Sequence, residues 1–152
     1  MATLALAAVG AAAGGALLPG GLSLLGATLS GVPSVEIDDV AAARSATNHL
    51  LDLGHRRLGL VSGRPFERIP FTTPPERKRG FLVALKEAGV AWDPNLEVSA
   101  DFSVRGAQRV AMTLLERDDR PTAVFAESDE MAFGVLAAAR ALGLRVPEDL
   151  SV

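Results

Sequence analysis

Short apolar runs alternate with amphipathic segments from residue 34 to the end of the chain. Apolar and β-branched runs predict strands at 34–37, 58–62, 96–100 and 122–126. Between these runs, apolar side chains recur at three- and four-residue spacing, which is typical of helices with one buried face. Strands that alternate with helices predict an α/β fold in which a parallel sheet is flanked by helices.

Capping residues and glycines set the bounds of the first predicted helix. It begins after Asp38 or Asp39, either of which can accept hydrogen bonds from the first turn, and it ends at Gly54. The positively charged run after Gly54 suits the negative end of the helix dipole. The predicted buried face of this helix consists of Val40, Ala43, Thr47, Leu50 and Leu53.

Three more helices are predicted in the same way. Thr73 and Glu76 fit a capping box with Pro74 at the first helical position, and Gly89 ends that helix. Ser103 and Ser128 are the predicted caps of the next two. The last one has the predicted buried face Ala132, Val135, Leu136, Ala139 and Leu142. Another strand begins near residue 150, so we expect the domain to continue past Val152.

Residues 1–31 form a separate segment without an ionisable side chain. It is a low-complexity tract of Ala, Gly and Leu, interrupted by Pro19-Gly20-Gly21. A membrane-spanning or targeting role is one alternative, but the glycines and Pro19 break the apolar run and no basic residue precedes it. We favour a poorly packed remnant or a wrongly assigned start of the reading frame.

Composition and charge exclude several function classes. A net charge of −3 over 152 residues, with Arg and Lys scattered, gives no basic surface for nucleic acid. The chain contains no Cys, which excludes disulfides, thiolate catalysis and Cys-ligated zinc.

The search for catalytic and metal-binding chemistry is negative as well. No nucleophile elbow, phosphate-binding loop, dinucleotide fingerprint or zinc-protease motif occurs. His49 and His55 are interpreted as a helix-surface and a helix-end histidine, and the Asp118-Asp119 pair as part of a solvated loop. We therefore expect no enzyme activity, no metal and no cofactor.

Several phrases of the sequence resemble the lactose/galactose-repressor family of bacterial transcriptional regulators. The resemblance covers about residues 31–152 in the family's order and spacing. It is carried by VPSVEIDDVAAAR at 32–44, HLLDLGHRRLGLVSG at 49–63, RxxGFxxAL at 77–85, Asp-Phe at 101–102, RPTAVFAESDEMA at 120–132 and GLRVPEDLSV at 143–152.

The resemblance implies a two-lobed domain of the periplasmic-binding-protein type (type I), of which residues 32–152 hold mostly the C-terminal lobe. In that family a small effector, usually a sugar or nucleobase, binds in the cleft between the lobes, at the carboxyl ends of parallel strands. A helix-turn-helix module, absent from this chain, binds operator DNA, and the full-length regulator is a homodimer. A cytoplasmic location is also expected.

The resemblance further implies which residues contact the effector. Arg77 matches an Arg that binds effector in some relatives, and a guanidinium suits vicinal hydroxyls or a carboxylate. Phe102 matches an aromatic position that stacks on the ligand. Ser128 matches a polar ligand contact, and Asp129 orders the same turn.

Phe71 and Thr73 are further candidates in the loop before the second predicted helix. Where family members often carry another effector-binding Arg, this chain has Pro75, which leaves the class of ligand open. Two alternatives stay open for the function. One is a sugar-binding protein of a transport system, which would share the fold, and the other is a small α/β hydrolase, which would need a nucleophile and a base.

Overall fold

Three parallel strands form the larger sheet in the described part of the chain. The computed structural model describes residues 24–25, 34–35, 37–64 and 73–152. Its strands are β1 (Leu24–Leu25), β2 (Ser34–Val35), β3 (Leu58–Gly63), β4 (Glu97–Ala100) and β5 (Ala123–Ala126). Its helices are α1 (Asp39–Asp52), α2 (Thr73–Glu87), α3 (Val104–Leu115) and α4 (Asp129–Ala141), with a 3-10 turn at Pro94–Leu96.

Strand β3 lies in the middle of the sheet, in the order β4-β3-β5, and every pairing is parallel. β3 is buried along its whole length, as expected for a central strand covered on both faces. Ser151 bridges to Ala123 in the parallel sense, which confirms the prediction that another strand begins near residue 150. The parallel α/β fold predicted from the sequence is therefore confirmed.

The helices cover both faces of this sheet. The face of α1 and α2 holds one apolar cluster that includes Leu50, Leu60 and Phe81, and Phe81 packs edge-on against Trp92. The face of α3 and α4 holds a second cluster that includes Val61 and Met131. Because consecutive residues of β3 point to opposite faces, Leu60 and Val61 contribute to different clusters.

Helices α1 and α2 cross at very short distance. Gly80 is buried in this crossing, and a Cβ atom at this position would overlap the carbonyl oxygen of Val40 in α1. A side chain at Gly80 would therefore force the two helices apart, so this position requires glycine for steric reasons.

Three of the predicted helix caps are present. Asp38 accepts a hydrogen bond from the amide of Ala41, and Ser103 and Ser128 cap α3 and α4 in the same way. The predicted capping box is wrong: α2 already begins at Thr73, and no hydrogen bond joins Thr73 and Glu76. Thr73 is instead buried.

Other expectations from the sequence also need correction. The first predicted strand is shorter than 34–37 and pairs with β1 in a separate two-stranded sheet. Leu53 is 60% exposed and Leu136 37% exposed, so neither belongs to a buried face. Apart from β1, the apolar segment 1–31 lies outside the described residues, as does Phe71. Within the described ranges, no helix is long and apolar enough to cross a bilayer.

Candidate functional site

The carboxyl ends of the three parallel strands lie at one edge of the sheet, where α2 and α4 begin. β3 ends at Gly63, β4 at Ala100 and β5 at Ala126. Ligands of open α/β sheets bind at this edge, because the loops and helix N-termini there present polar groups around a crevice. Four of the predicted site residues, Arg77, Phe102, Ser128 and Asp129, lie at or next to it.

Arg77 joins three elements at this edge. Its Nε donates a hydrogen bond to Asp39 Oδ1 of α1 at 2.7 Å, and its Nη1 donates to the carbonyl oxygen of Glu127, just after β5. Asp39 is 8% exposed, so this ion pair is largely shielded from water. Arg77 is thus held in place by hydrogen bonds to α1 and to the residue after β5.

A cleft of about 250 Å³ opens beside this guanidinium, and we call it the arginine cleft. Its polar lining comes from Arg77, Ser128, Asp129 and Glu127, and Ile37, Phe125 and four alanines give it apolar walls. Ser128 is also the cap of α4, since its Oγ accepts from the amide of Met131 at 3.3 Å. The structure therefore brings three predicted site residues together around one concave surface.

Phe102 lies over the end of the neighbouring strand. Its ring packs so closely on Gly63 that a Cβ atom there would overlap it. The backbone of Phe102 adopts a φ of 57°, in the left-handed region that bulky residues rarely occupy. Phe102 is partly buried and does not belong to the lining of the arginine cleft.

A short hydrogen-bonded turn surrounds this unusual backbone. Ser103 donates from Oγ to Asp101 Oδ1 at 2.7 Å, and the same Oγ accepts from the amide of Gly106 at 3.0 Å. The hydrogen bond from the Ser103 hydroxyl is the main reason that the pKa of Asp101 lies below its usual value. These bonds fix the residues on both sides of Phe102 and so hold its ring over Gly63.

A second cleft, of about 210 Å³, lies on the α2 face of the sheet, and we call it the serine cleft. Its lining is Ser62, Gly63, Pro74, Pro75, Lys78, Glu97, Ser99 and Glu127. Lys78 Nζ donates to both carboxylate oxygens of Glu97, at 2.8 and 2.7 Å. Ser62 Oγ lies 2.8 Å from Ser99 Oγ and donates to Glu97 at 3.1 Å. Thr73, the residue before Pro74, is buried, so its hydroxyl is not readily accessible to a ligand.

Glu127 is the functional residue that the sequence analysis missed. It lines both clefts and is only 1% exposed. Its Oε2 accepts a hydrogen bond from the amide of Gly63 at 2.7 Å, whereas its Oε1 is buried without a partner. Burial raises the pKa of Glu127 to about 7, against the opposing effects of the Gly63 amide and the Arg77 charge. The sequence carried one signal for Glu127: it lies directly between the predicted strand 122–126 and the predicted helix cap Ser128.

The described residues do not suggest metal or triad chemistry. Among them, no three His, Asp or Glu side chains lie close enough together to hold a metal ion. His55 places its two ring nitrogens 2.9 Å from the hydroxyls of Thr122 and Ser151, at the opposite end of the sheet. Asp119 pairs with Arg57 and Arg117, which holds its pKa below the usual value mainly through the Arg117 hydrogen bond.

Comparison with known proteins places this site in a family. Residues 47–152 match the model of the periplasmic binding protein-like domain. The chain is 39% identical over 121 residues to the HTH-type transcriptional repressor CytR of Escherichia coli K12, covering 80% of this chain and 34% of CytR. The chain thus spans about a third of the length of this relative.

Two solved structures show the same architecture. A LacI family transcriptional regulator from Mycobacterium smegmatis superposes with a TM-score of 0.72 at 38% identity, over 82% of this chain and 46% of that one. A complex of the transcriptional regulator CelR with cellobiose superposes with a TM-score of 0.72 at 35% identity, over 84% of this chain and 39% of that one.

Fold, site edge and relatives together define the class. The chain belongs to the periplasmic binding protein-like domain family. Within it, the relatives are LacI-family transcriptional regulators, and this chain corresponds to part of their effector-binding domain. These relatives are repressors and regulators, which agrees with the expectation that the chain is not an enzyme.

Proposed function

We propose that this chain is the ligand-sensing part of a bacterial transcriptional repressor and that it binds a small, hydroxyl-rich effector, a sugar, at the carboxyl edge of its sheet. The observation that carries this proposal is the arginine cleft, in which Arg77, Ser128 and Asp129 converge beside apolar walls. A guanidinium and a serine hydroxyl hydrogen-bond to vicinal hydroxyls, and apolar walls suit the faces of a sugar ring. The cellobiose bound by CelR is a precedent for a sugar in this fold.

In the proposed regulator the effector binds between this lobe and a second one, and a helix-turn-helix module binds operator DNA. The chain itself carries a net charge of −3, and its Arg and Lys residues are scattered along the sequence. We therefore expect the chain alone to show no sequence-specific DNA binding at physiological salt. The arginine cleft forms one wall of the site, so its affinity for a sugar should be weak, in the millimolar range.

The test is an NMR titration of the isotope-labelled chain with cellobiose and a panel of monosaccharides. We expect amide shifts that cluster on Arg77, Ser128 and Asp129, and we expect Arg77→Ala to weaken binding at least tenfold. Arg79→Ala is the matched control, because Arg79 is an exposed arginine on the same helix. Sugar-induced shifts that lie elsewhere, or that survive Arg77→Ala unchanged, would show that the site is assigned wrongly.

Homodimer formation is a further part of this proposal. Phe133 and Leu136 lie one turn apart on α4 and are 61% and 37% exposed, and Val104 at the start of α3 is exposed as well. An apolar strip of this kind on the surface fits a protein–protein contact. Sedimentation velocity should show a concentration-dependent dimer that Phe133→Ser disrupts, while Arg140→Ser on the same helix leaves it intact.

A further inference from the structure

The arginine cleft and the serine cleft share one lining residue, Glu127. Its carbonyl oxygen accepts from Arg77 on the side of the arginine cleft, and its carboxyl group lies among the residues of the serine cleft. The serine cleft offers several times the ~30 Å³ that one water molecule occupies in the liquid. A ligand group that enters the serine cleft therefore lies among the residues that surround the Glu127 carboxyl.

The other polar groups of the serine cleft already satisfy each other. Both oxygens of Glu97 accept from Lys78, and Ser62 bonds to Glu97 and Ser99. Across the residues that the structure describes, the buried side-chain atoms without a partner are Arg120 Nε and Glu127 Oε1, of which only the latter can accept. What this site lacks is a hydrogen-bond donor aimed at that oxygen.

We propose that Glu127 is a specificity-determining residue of the effector site, whose Oε1 accepts a hydrogen bond from a hydroxyl or amino group at the end of the effector that enters the serine cleft. This proposal rests on the proposed function in one respect, namely that the ligand at this edge is the effector. A buried acceptor that is left unpaired costs about 1–3 kcal/mol, so ligands without a donor at this position are discriminated against.

The charges around Glu127 determine how much binding free energy an effector gains from a hydrogen bond to its carboxyl. Arg77 is paired with Asp39, and Lys78 with Glu97, so the two cations nearest to Glu127 are each neutralised by another carboxylate. The remaining carboxyl nearby, Asp129, is exposed at the start of α4. A donor from the ligand stabilises the ionised form of Glu127, and a cationic amine does so more strongly than a neutral hydroxyl, because it adds Coulomb attraction in a desolvated place.

The experiment uses minimal probes on the ¹³C,¹⁵N-labelled chain. Methylammonium chloride tests an amine, ethylene glycol tests a hydroxyl, and tetramethylammonium chloride supplies the same charge without a donor. The signals to follow are the Glu127 carboxyl carbon and the amide of Gly63, which donates to Oε2. We expect both donor probes to shift these two signals, and tetramethylammonium to leave them unchanged.

The pH dependence of probe affinity distinguishes an amine donor from a hydroxyl donor. A carboxyl with a pKa of about 7 is roughly one-tenth ionised at pH 6 and nine-tenths ionised at pH 8. The affinity for methylammonium should therefore rise about tenfold between these pH values, and that for ethylene glycol should rise less. This comparison is made on the unaltered chain, so it does not depend on the folding of a variant.

Two variants complete the test. Glu127→Gln keeps the size of the side chain, but it turns the free acceptor into an amide donor and should abolish both probe effects. Glu116→Gln, at an exposed glutamate after α3, should change nothing. The proposal is overturned if tetramethylammonium acts like methylammonium, if neither donor probe shifts the Glu127 signals, or if Glu127→Gln retains the shifts.

The proposed function fails in a different way. Sugar-induced shifts at Arg77 and Ser128, together with no probe effect at Glu127, would leave the effector cleft in place and remove only the role of Glu127. Probe effects at Glu127 together with no response to any sugar would support Glu127 as a hydrogen-bond acceptor and would contradict the proposed sugar site.

Discussion

Replacing Glu127 by glutamine should remove most of the pH dependence of stability between pH 5 and pH 8. The carboxyl has a pKa of about 7 in the folded protein and an ordinary value of 4.5 when exposed. The folded state therefore holds its proton more tightly than the unfolded state does. Stability from this group is greatest at low pH and is lost as the pH rises from about 4.5 through 7, above which the loss is complete.

The size of the effect follows from the two pKa values. Linkage gives a loss of about 2–3 kcal/mol in the free energy of unfolding between pH 5 and pH 8. With a typical slope of ~2 kcal/mol per molar urea for a chain of this size, the unfolding midpoint should fall by about 1 M urea. Acidic groups with lowered pKa values, such as Asp101, Asp119 and Asp149, change protonation below this window and do not interfere.

The assay is urea unfolding at pH 5, 6, 7 and 8, followed by circular dichroism, for the wild-type chain and Glu127→Gln. Glu116→Gln is the control, because its carboxyl is exposed and its removal should leave the wild-type slope in place. The comparison uses the difference in slope, since the substitution also replaces the unpartnered Oε1 by an amide N–H donor, which changes stability at every pH. If the wild type and Glu127→Gln lose stability in parallel with rising pH, the carboxyl is not the buried acid described above.

Two further substitutions test the packing and the caps, both by urea unfolding at pH 6. Gly80→Ala should destabilise the chain by about 1–3 kcal/mol, because the added methyl group meets the backbone of α1, while Lys86→Ala on the exposed side of α2 should stay within ~0.5 kcal/mol. An unchanged Gly80→Ala variant would mean that α1 and α2 do not cross as closely as described. Ser128→Ala should cost about 1 kcal/mol through loss of the α4 cap, whereas Ser45→Ala, exposed inside α1, should not destabilise. Equal effects of the two serine substitutions would contradict the capping role.

The elements of the fold were predictable because their signals are local. Apolar periodicity and the caps at Asp38, Ser103 and Ser128 depend on neighbours within one or two turns, and the structure shows all three caps. An equally good local signal predicted Thr73 as the cap of α2. This prediction was wrong, because Thr73 is already part of α2 and is buried. Leu53 failed because α1 ends at Asp52, so its side chain turns outward after the last helical residue.

The site was predictable only in part, because its contacts join distant parts of the chain. Arg77 pairs with Asp39, 38 residues earlier, and Glu127 accepts from Gly63, 64 residues earlier. No spacing rule in a single sequence links such partners. The resemblance to a family pointed to Arg77 and Ser128, but it gave no reason to single out Glu127.

In the proposed effector site, the ion pair between Arg77 and Asp39 makes ligand binding a competition for the guanidinium. The guanidinium of Arg77 already donates hydrogen bonds to the Asp39 carboxylate, at 2.7 Å, and to the backbone carbonyl of Glu127. A ligand oxygen must therefore replace one of these acceptors or share a donor N–H with it. The binding free energy is therefore the difference between the hydrogen bonds gained with the ligand and those lost within the protein. A change at Asp39 in α1 can alter this difference without changing a residue that contacts the ligand. Asp39 acts in this sense as an internal competitor, so that its replacement by asparagine would weaken the internal bond and leave Arg77 more available to the effector.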